Sequence, residues 1–143
     1  MSLAIRQVAL DSPEYAQCLA LRERVLRIPL GLRITGQDLA LDRESFHLAA
    51  FADDAVAGSV SLKPLGQEMK LRQMAVSPER QQQKIGRQLV SAAEAFTRDR
   101  GIARMVLSAR LTAAGFYEKL GYATEGEPYS EQGIPHIRMT KTL

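Results

Sequence analysis

Between Leu3 and Leu10 apolar and polar residues alternate, the period-two pattern of a half-buried strand. Ser12 and Pro13 then supply a side-chain cap and a first-turn proline, so the spacing predicts a helix over 13–27, stopped by Pro29 and Gly31. Thr35 to Arg43 carries a weaker helical pattern, interrupted by Gly36 and rich in polar residues. Phe46–Ala52, a tight turn at Asp53-Asp54, and Val56–Lys63 read as a hairpin. Pro64-Leu65-Gly66 reads as the next turn and Met69–Val76 as a third antiparallel strand. Ile85, Leu89, Ala93 and Phe96 recur at helical spacing up to Gly101, which suits a left-handed cap. A buried strand over 102–108, a helix over 112–120 ending at Gly121, and strands over 122–127 and 136–141 complete the chain.

A strand, a helix and a strand in that order imply a right-handed crossover between two parallel strands, with ligands gathering at the strands' carboxyl ends. The rest of the pattern is meander. The predicted class is therefore α+β: a mixed, largely antiparallel sheet with helices on both faces. There are no repeats, linkers or low-complexity segments, so residues 1–143 are taken as a single domain.

Composition narrows the function classes. With 45% hydrophobic and 24% charged residues the chain is an ordinary globular protein, not a disordered one. A formal charge of +3, scattered and with 6% aromatics, gives no footprint for nucleic acid. Cys18 is the only cysteine, so no intramolecular disulfide can form and a reducing cytoplasm is the expected location. It shares a helical face with Tyr15, Leu19, Arg22 and Leu26, which marks it as a small buried hydrophobe and not a nucleophile. No segment has the pattern of a leader or of a membrane span, and no ligand spacing suggests a metal.

The most informative stretch is Met74 to Val90, a strand end and a polar loop that open into an amphipathic helix. A helix start leaves backbone N–H groups unpartnered and carries partial positive charge, so it can hold an anion largely by main chain. Arg72, Arg80, Lys84 and Arg87 flank it and would concentrate a polyphosphate ligand there.

Two segments resemble the GNAT superfamily of acyl-CoA-dependent N-acyltransferases. Leu71-Arg-Gln-Met-Ala-Val76 followed by Gln81-Gln-Gln-Lys-Ile-Gly86 is similar to the family's central strand and its Arg/Gln-x-x-Gly-x-Gly/Ala pyrophosphate loop. Ala113-Ala-Gly-Phe-Tyr-Glu-Lys-Leu-Gly-Tyr122 is similar to its Ala-x-x-Phe-Tyr-x-Lys-x-Gly-Phe segment. The resemblance covers essentially the whole chain and extends to a subset of uncharacterised bacterial members. It implies acetyl-CoA as co-substrate and no metal. The main chain of Met74, Ala75 and Val76 would pair with the pantetheine arm as an added strand, and Gln81, Gln82, Gln83, Lys84, Ile85, Gly86 and Arg87 would hold the diphosphate. Lys84 stands where the family has glycine. Glycine suits a positive φ or a very close approach to phosphate there, and a lysine can still donate to the anion if its backbone is ordinary, so altered phosphate contacts and retained binding are expected.

Attack of an amine on a thioester needs a neutral amine, a donor for the oxyanion and a proton for the departing thiolate. By the resemblance, Tyr117 supplies that proton and also touches the cofactor, and the backbone N–H of Val76 is the oxyanion donor. Tyr117 merely packing is the competing reading. Phe116 and Tyr117 point about 100° apart on a helix, so one of them at most sits at the centre of a buried face. His136, His47 and Glu131 are the acceptor-site candidates, with His136 as a candidate base. Arg24, Arg27 and Arg33 border the acceptor region by family likeness, but on the pattern alone they are solvated charges along a helix. The function implied is transfer of an acetyl group to a primary amine of a small molecule or peptide. The alternative is a non-catalytic CoA-binding sensor. An exposed edge strand near the C-terminus can support a homodimer.

Overall fold

The computed structural model describes residues 3–143, with residues 81 and 82 described in backbone only. Its strands are β1 (Leu3–Gln7), β2 (Phe46–Ala52), β3 (Ala55–Leu65), β4 (Glu68–Val76), β5 (Arg104–Arg110), β6 (Ala123–Glu131) and β7 (Ile134–Thr142). The helices are α1 (Pro13–Arg22), α2 (Gly36–Asp42), α3 (Ile85–Asp99) and α4 (Ala114–Lys119). One seven-stranded sheet runs β1-β2-β3-β4-β5-β7-β6. Among the described residues only the β4–β5 pair is parallel, joined through α3 as the crossover pattern requires.

The two faces of the sheet are covered by different helices. Ile85, Leu89 and Ala93 of α3, all fully buried, pack with Val60, Leu62, Met69, Met105 and Met139 in the main core. On the opposite face Tyr15 and Cys18 of α1 meet Val8, Ala49 and Phe51. Gly58 on β3 permits the first packing. A Cβ there would lie 2.8 Å from Ile85 Cγ2 and 2.9 Å from Leu89 Cδ1, so any side chain would force Ile85 and Leu89 to shift.

Local chemistry explains where the elements differ from the pattern. The first helix keeps its Ser12 cap on the Tyr15 N–H, but after Arg22 it widens into a π-helical turn over Glu23–Arg27 and a 3-10 turn over Ile28–Leu30. Gly31, at φ 73°, ends it. The weak second helix does form, because Thr35 and Asp38 make a reciprocal capping box that offsets Gly36. Pro64 and Leu65 belong to β3, not to a turn: the connection is Gly66-Gln67, and Pro64, opposite Met69, faces the side where β2 has already ended. β5 runs two residues later than the pattern suggests. β6 continues to Glu131 across a register shift between Glu125 and Tyr129, turning into β7 through Gln132 and Gly133, both at positive φ. All nine β6 residues are exposed and the strand forms one edge of the sheet.

Candidate functional site

The pairing of β4 with β5 stops at Leu71 opposite Leu107, and beyond it the two parallel strands part. A cleft of about 660 Å³ opens there, walled by Gln73 and Met74 of β4, Ser108 and Arg110 of β5, Phe116 and Tyr117 of α4, Arg27 and Asp38 from the α1–α2 region, and His136 of β7. The break has a local cause. Gln73 sits at φ 57°, inside a register shift between the Ser61–Arg72 and Ser59–Ala75 pairs, so β4 bulges just where β5 departs.

The alternation of the antiparallel ladder fixes which way the end of β4 faces. Ser77 N–H donates to Ala57 O at 2.8 Å, so Ser77 faces β3 and its neighbour Val76, opposite Gly58, faces away. The Val76 N–H therefore points to the side β5 has vacated. A chain of amides laid along this edge would find main-chain partners there.

Past Val76 a 3-10 turn over Pro78–Gln83 leads to α3. Sequence patterning predicts no such turn. The first intrahelical bond runs from Gln88 N–H to Lys84 O, which leaves the Ile85, Gly86 and Arg87 N–H groups at the helix start, with no side-chain cap and no acidic residue in the first turn. Lys84 is at φ 58°, ψ 32°. The condition of an ordinary backbone is thus not met: Lys84 adopts the left-handed geometry that glycine would take freely. A Cβ on Gly86 would lie 3.5 Å from Phe116 Cζ, 3.7 Å from Met74 Cε and 3.7 Å from Val76 Cγ2. Gly86 is therefore not needed for packing, and its bare face is turned to the end of β4. The side chains of Gln81 and Gln82 lie outside the described residues, and Arg80 pairs with Asp53 at 3.8 Å.

Tyr117 is 7% exposed and its ring packs edge-on against Phe116 and Tyr122. Phe116, as the 100° offset requires, is more open at 37%. Among the described residues the Tyr117 hydroxyl has no hydrogen-bond partner, whereas the Tyr122 hydroxyl donates to Glu94 at 2.9 Å. Burial alone pushes the Tyr117 phenol up to about 12, so it holds its proton throughout the physiological range.

His136 and Glu131 come together at the cleft's far wall. His136 Nδ1 bonds Ile134 O at 2.8 Å, which leaves Nε2 to face Glu131 Oε2 at 3.5 Å. Ser108 bonds the Tyr129 hydroxyl, and Tyr129 stacks on His136. Ser108 and Tyr129 were not singled out by sequence, although the period-two spacing of β5 and β6 puts them on this face.

His47 is not brought to the cleft. It is buried beside α1, with Nδ1 on Ser61 Oγ and Nε2 on Asp42 O, each at 2.9 Å, and burial lowers its pKa. Both ring nitrogens are engaged, so it serves the packing of a buried network in which Asp42 accepts from Tyr15 and Arg22, each at 2.6 Å. Arg27 moves the other way. It is not a solvated helix charge but 8% exposed, bonded to Asp38 at 3.1 Å and to Gln73 at 3.3 Å in the cleft wall. Arg24 and Arg33 are exposed and paired with Glu79 and Glu23. Arg72, grouped by sequence with the anion loop, instead lines the cleft on the α1–α2 side of the bulge. Cys18 is buried with its thiol pushed up to about 11 by desolvation, which fits the packing role. Among the described residues there is no cluster of side chains that could hold a metal, and no helix is long and apolar enough to cross a membrane.

Residues 33–143 match the family described as acetyltransferase (GNAT) domain. A Bacillus subtilis (strain 168) protein provisionally named an acetyltransferase is 34% identical over 95 residues, 66% of this chain and 65% of its own length, just under two thirds of it. A crystal structure from Lactobacillus plantarum, provisionally named an N-acetyltransferase, superposes with a TM-score of 0.89 at 27% identity, covering 100% of this chain and 99% of that one. An aminoglycoside 6'-N-acetyltransferase complexed with coenzyme A shares the fold at a TM-score of 0.78 and 21% identity, covering 97% of this chain and 96% of that one.

Proposed function

The chain belongs to the GNAT acetyltransferase family, and from that premise we propose that it transfers an acetyl group from acetyl-CoA to a primary amine of a small molecule or peptide by direct attack. One observation carries the reading: β4 and β5 part after Leu71 and Leu107, with the Val76 N–H turned into the gap, the uncapped start of α3 beyond it and a buried, unpartnered phenol in the cleft wall. These features fit the group. Met74, Ala75 and Val76 offer main chain to an amide arm, and the N–H groups from Lys84 to Arg87 suit a diphosphate, with bare Gly86 leaving room for close approach. Gln81, Gln82 and Gln83 complete the loop in the proposal.

Bound there, acetyl-CoA supplies an activated acyl group. The acceptor nitrogen forms the new C–N bond as the C–S bond breaks. Val76 N–H donates to the carbonyl oxygen as negative charge develops on it. Tyr117 donates from its hydroxyl to the departing sulfur. His136, with Nε2 open toward Glu131, is placed to take the proton the amine loses, and Glu131 to orient the acceptor. His47 has no part in this, since its nitrogens are taken up beside Asp42.

The test is thiol release from acetyl-CoA in the presence of an amine panel, followed by mass spectrometry of the product. The account expects release that depends on the amine and an acceptor 42 Da heavier. Tight coenzyme A binding with no release for any amine would instead identify a non-catalytic CoA-binding module.

A further inference from the structure

The acceptor side of the cleft carries cations that the protein itself does not neutralise. On the open face of the sheet, Arg104 and Arg138 are matched by Glu68 and Glu125 at 2.7–3.4 Å. Further along the same face toward the cleft, the matching stops. Lys70, Arg72 and Arg110 all line the cleft, and among the described residues none of them has a carboxylate within ion-pairing distance. Arg27 is the contrast, since Asp38 neutralises it within the same wall.

Arg72 is the most informative of the three. Its Nη1 is buried without a hydrogen bond, and the solvation the guanidinium has lost to partial burial is offset only through space, by the charges of Asp42 and Asp38. Asp42, whose charge reaches Arg72, gives Oδ2 to Tyr15 and Arg22 and makes no hydrogen bond or ion pair with Arg72. A half-buried guanidinium with one buried, unbonded nitrogen is stabilised by an anion brought into the cleft. The diphosphate-binding end of the site is at α3, on the other side of the bulge, so it does not meet this need. Glu131, the cleft's other carboxylate, faces His136.

We infer that the acceptor is an amine that also carries an anionic group, a carboxylate or a phosphate, held by Arg72 with Lys70 and Arg110 beside it. This rests on the transferase reading above and narrows it. It places polycationic amines among the poorest acceptors, because a second ammonium would be driven against three unpaired cations. A planar carboxylate or a phosphate suits a guanidinium fork, and such charge-assisted bonds are the strong ones.

The experiment compares matched acceptors that differ only in the anion: an amino acid against its amide, and phosphoethanolamine against ethanolamine, with spermidine as the polycation. Turnover is measured by thiol release. Binding is measured separately, by the thermal stabilisation that the N-acetylated acid and its amide confer in the presence of coenzyme A. The wild type is expected to favour at least one anionic member of a pair by about 10–100-fold in kcat/KM, mainly through KM. Arg72→Gln should reduce that preference to about threefold or less with coenzyme A affinity retained, Arg72→Lys should recover part of it, and exposed Arg33→Gln should leave it as in the wild type. Arg110→Gln gives a second reading of the same loss should the Arg72 variant fail to fold. No preference for the anionic member in either pair, a preference for spermidine, or an equal loss for every acceptor in Arg72→Gln would overturn the inference while leaving the transferase reading intact. If no acceptor turns over but the acid still stabilises the wild type and not the variant, the anion subsite stands and the transferase reading falls; if the acid and amide stabilise equally, the subsite falls as well.

Discussion

Replacing Tyr117 by phenylalanine separates a catalytic hydroxyl from a packing one, because the structure makes the two effects unequal. A buried tyrosine usually bonds something, and losing its hydroxyl then orphans a partner. Here there is none to orphan, so stability should change by less than about 1 kcal/mol, with a melting shift of no more than roughly 4 °C. The kinetic effect follows from proton affinities. Burial pushes the phenol up to about 12, whereas a thiol ionises near 8.5, so complete proton transfer to the thiolate runs uphill by about 3.5 units, or roughly 5 kcal/mol. In the proposed transfer Tyr117 would therefore stabilise the departing sulfur chiefly through a charge-assisted hydrogen bond, worth about 1.5–3 kcal/mol, which is a rate factor of about 10–150. In the thiol-release assay Tyr117→Phe should lower kcat by roughly that factor. Coenzyme A affinity by calorimetry should stay within about threefold. No alkaline limb from Tyr117 should appear in the wild-type pH–rate profile below about pH 10. A loss of kcat smaller than threefold would show that the hydroxyl does not reach the sulfur and that the ring only packs.

Other positions test the scaffold around the site. Gly58→Ala puts a methyl 2.8 Å from Ile85 Cγ2 and should cost about 1–3 kcal/mol through overpacking, read as a lower melting temperature. A variant as stable as the parent would mean that α3 does not pack as described. Lys84→Gly relieves a left-handed lysine at φ 58° and should raise stability by up to about 1 kcal/mol in denaturant titrations; a clear decrease would show that the lysine side chain, not the backbone shape, matters there. His47 is buried neutral with a lowered pKa, so the unfolded chain takes up a proton near pH 6.5 that the folded chain refuses. Its contribution is present above that pH and is lost as pH falls toward the folded pKa. His47→Gln should flatten the decline of stability below pH 6.5 and leave the pH dependence of kcat/KM unchanged, and a change in the kinetic profile would return His47 to the site.

Much of the frame was legible in the chain because the signals are local. Hydrophobic patterning and turn residues located all seven strands near their observed positions, Gly101 and Gly121 both take the positive φ their places after helices suggest, and the crossover through α3 follows from order alone. The uncapped helix start beside the end of β4 was legible for the same reason, as a strand end followed by a polar loop and a helix. Boundaries failed where a neighbour decided them. Pro64 stays in β3 only because β2 has already ended, and the π-helical turn at Glu23–Arg27 has no cap or breaker to announce it. The acceptor side was least legible, since it is assembled from residues far apart in sequence. Arg27 meets Asp38 and Gln73 across 11 and 46 positions, and nothing in either helix pattern distinguishes that arginine from exposed Arg24. His136 held only a slight lead over His47 in the sequence, and the fold then set His47 beside Asp42 and His136 beside Glu131.

The claim on which the rest depends is that the gap between β4 and β5 and the start of α3 form one site for a thioester cofactor. Calorimetric titration of the protein with coenzyme A, alongside Gly86→Val, measures it most directly: a β-branched side chain on the bare face turned to Val76 and Met74 should obstruct close approach while the circular dichroism spectrum stays that of the parent. The account predicts one equivalent bound by the parent and at least tenfold weaker binding by the variant. A folded parent that takes up no coenzyme A at millimolar concentration, or equal affinity in the two proteins, would contradict it.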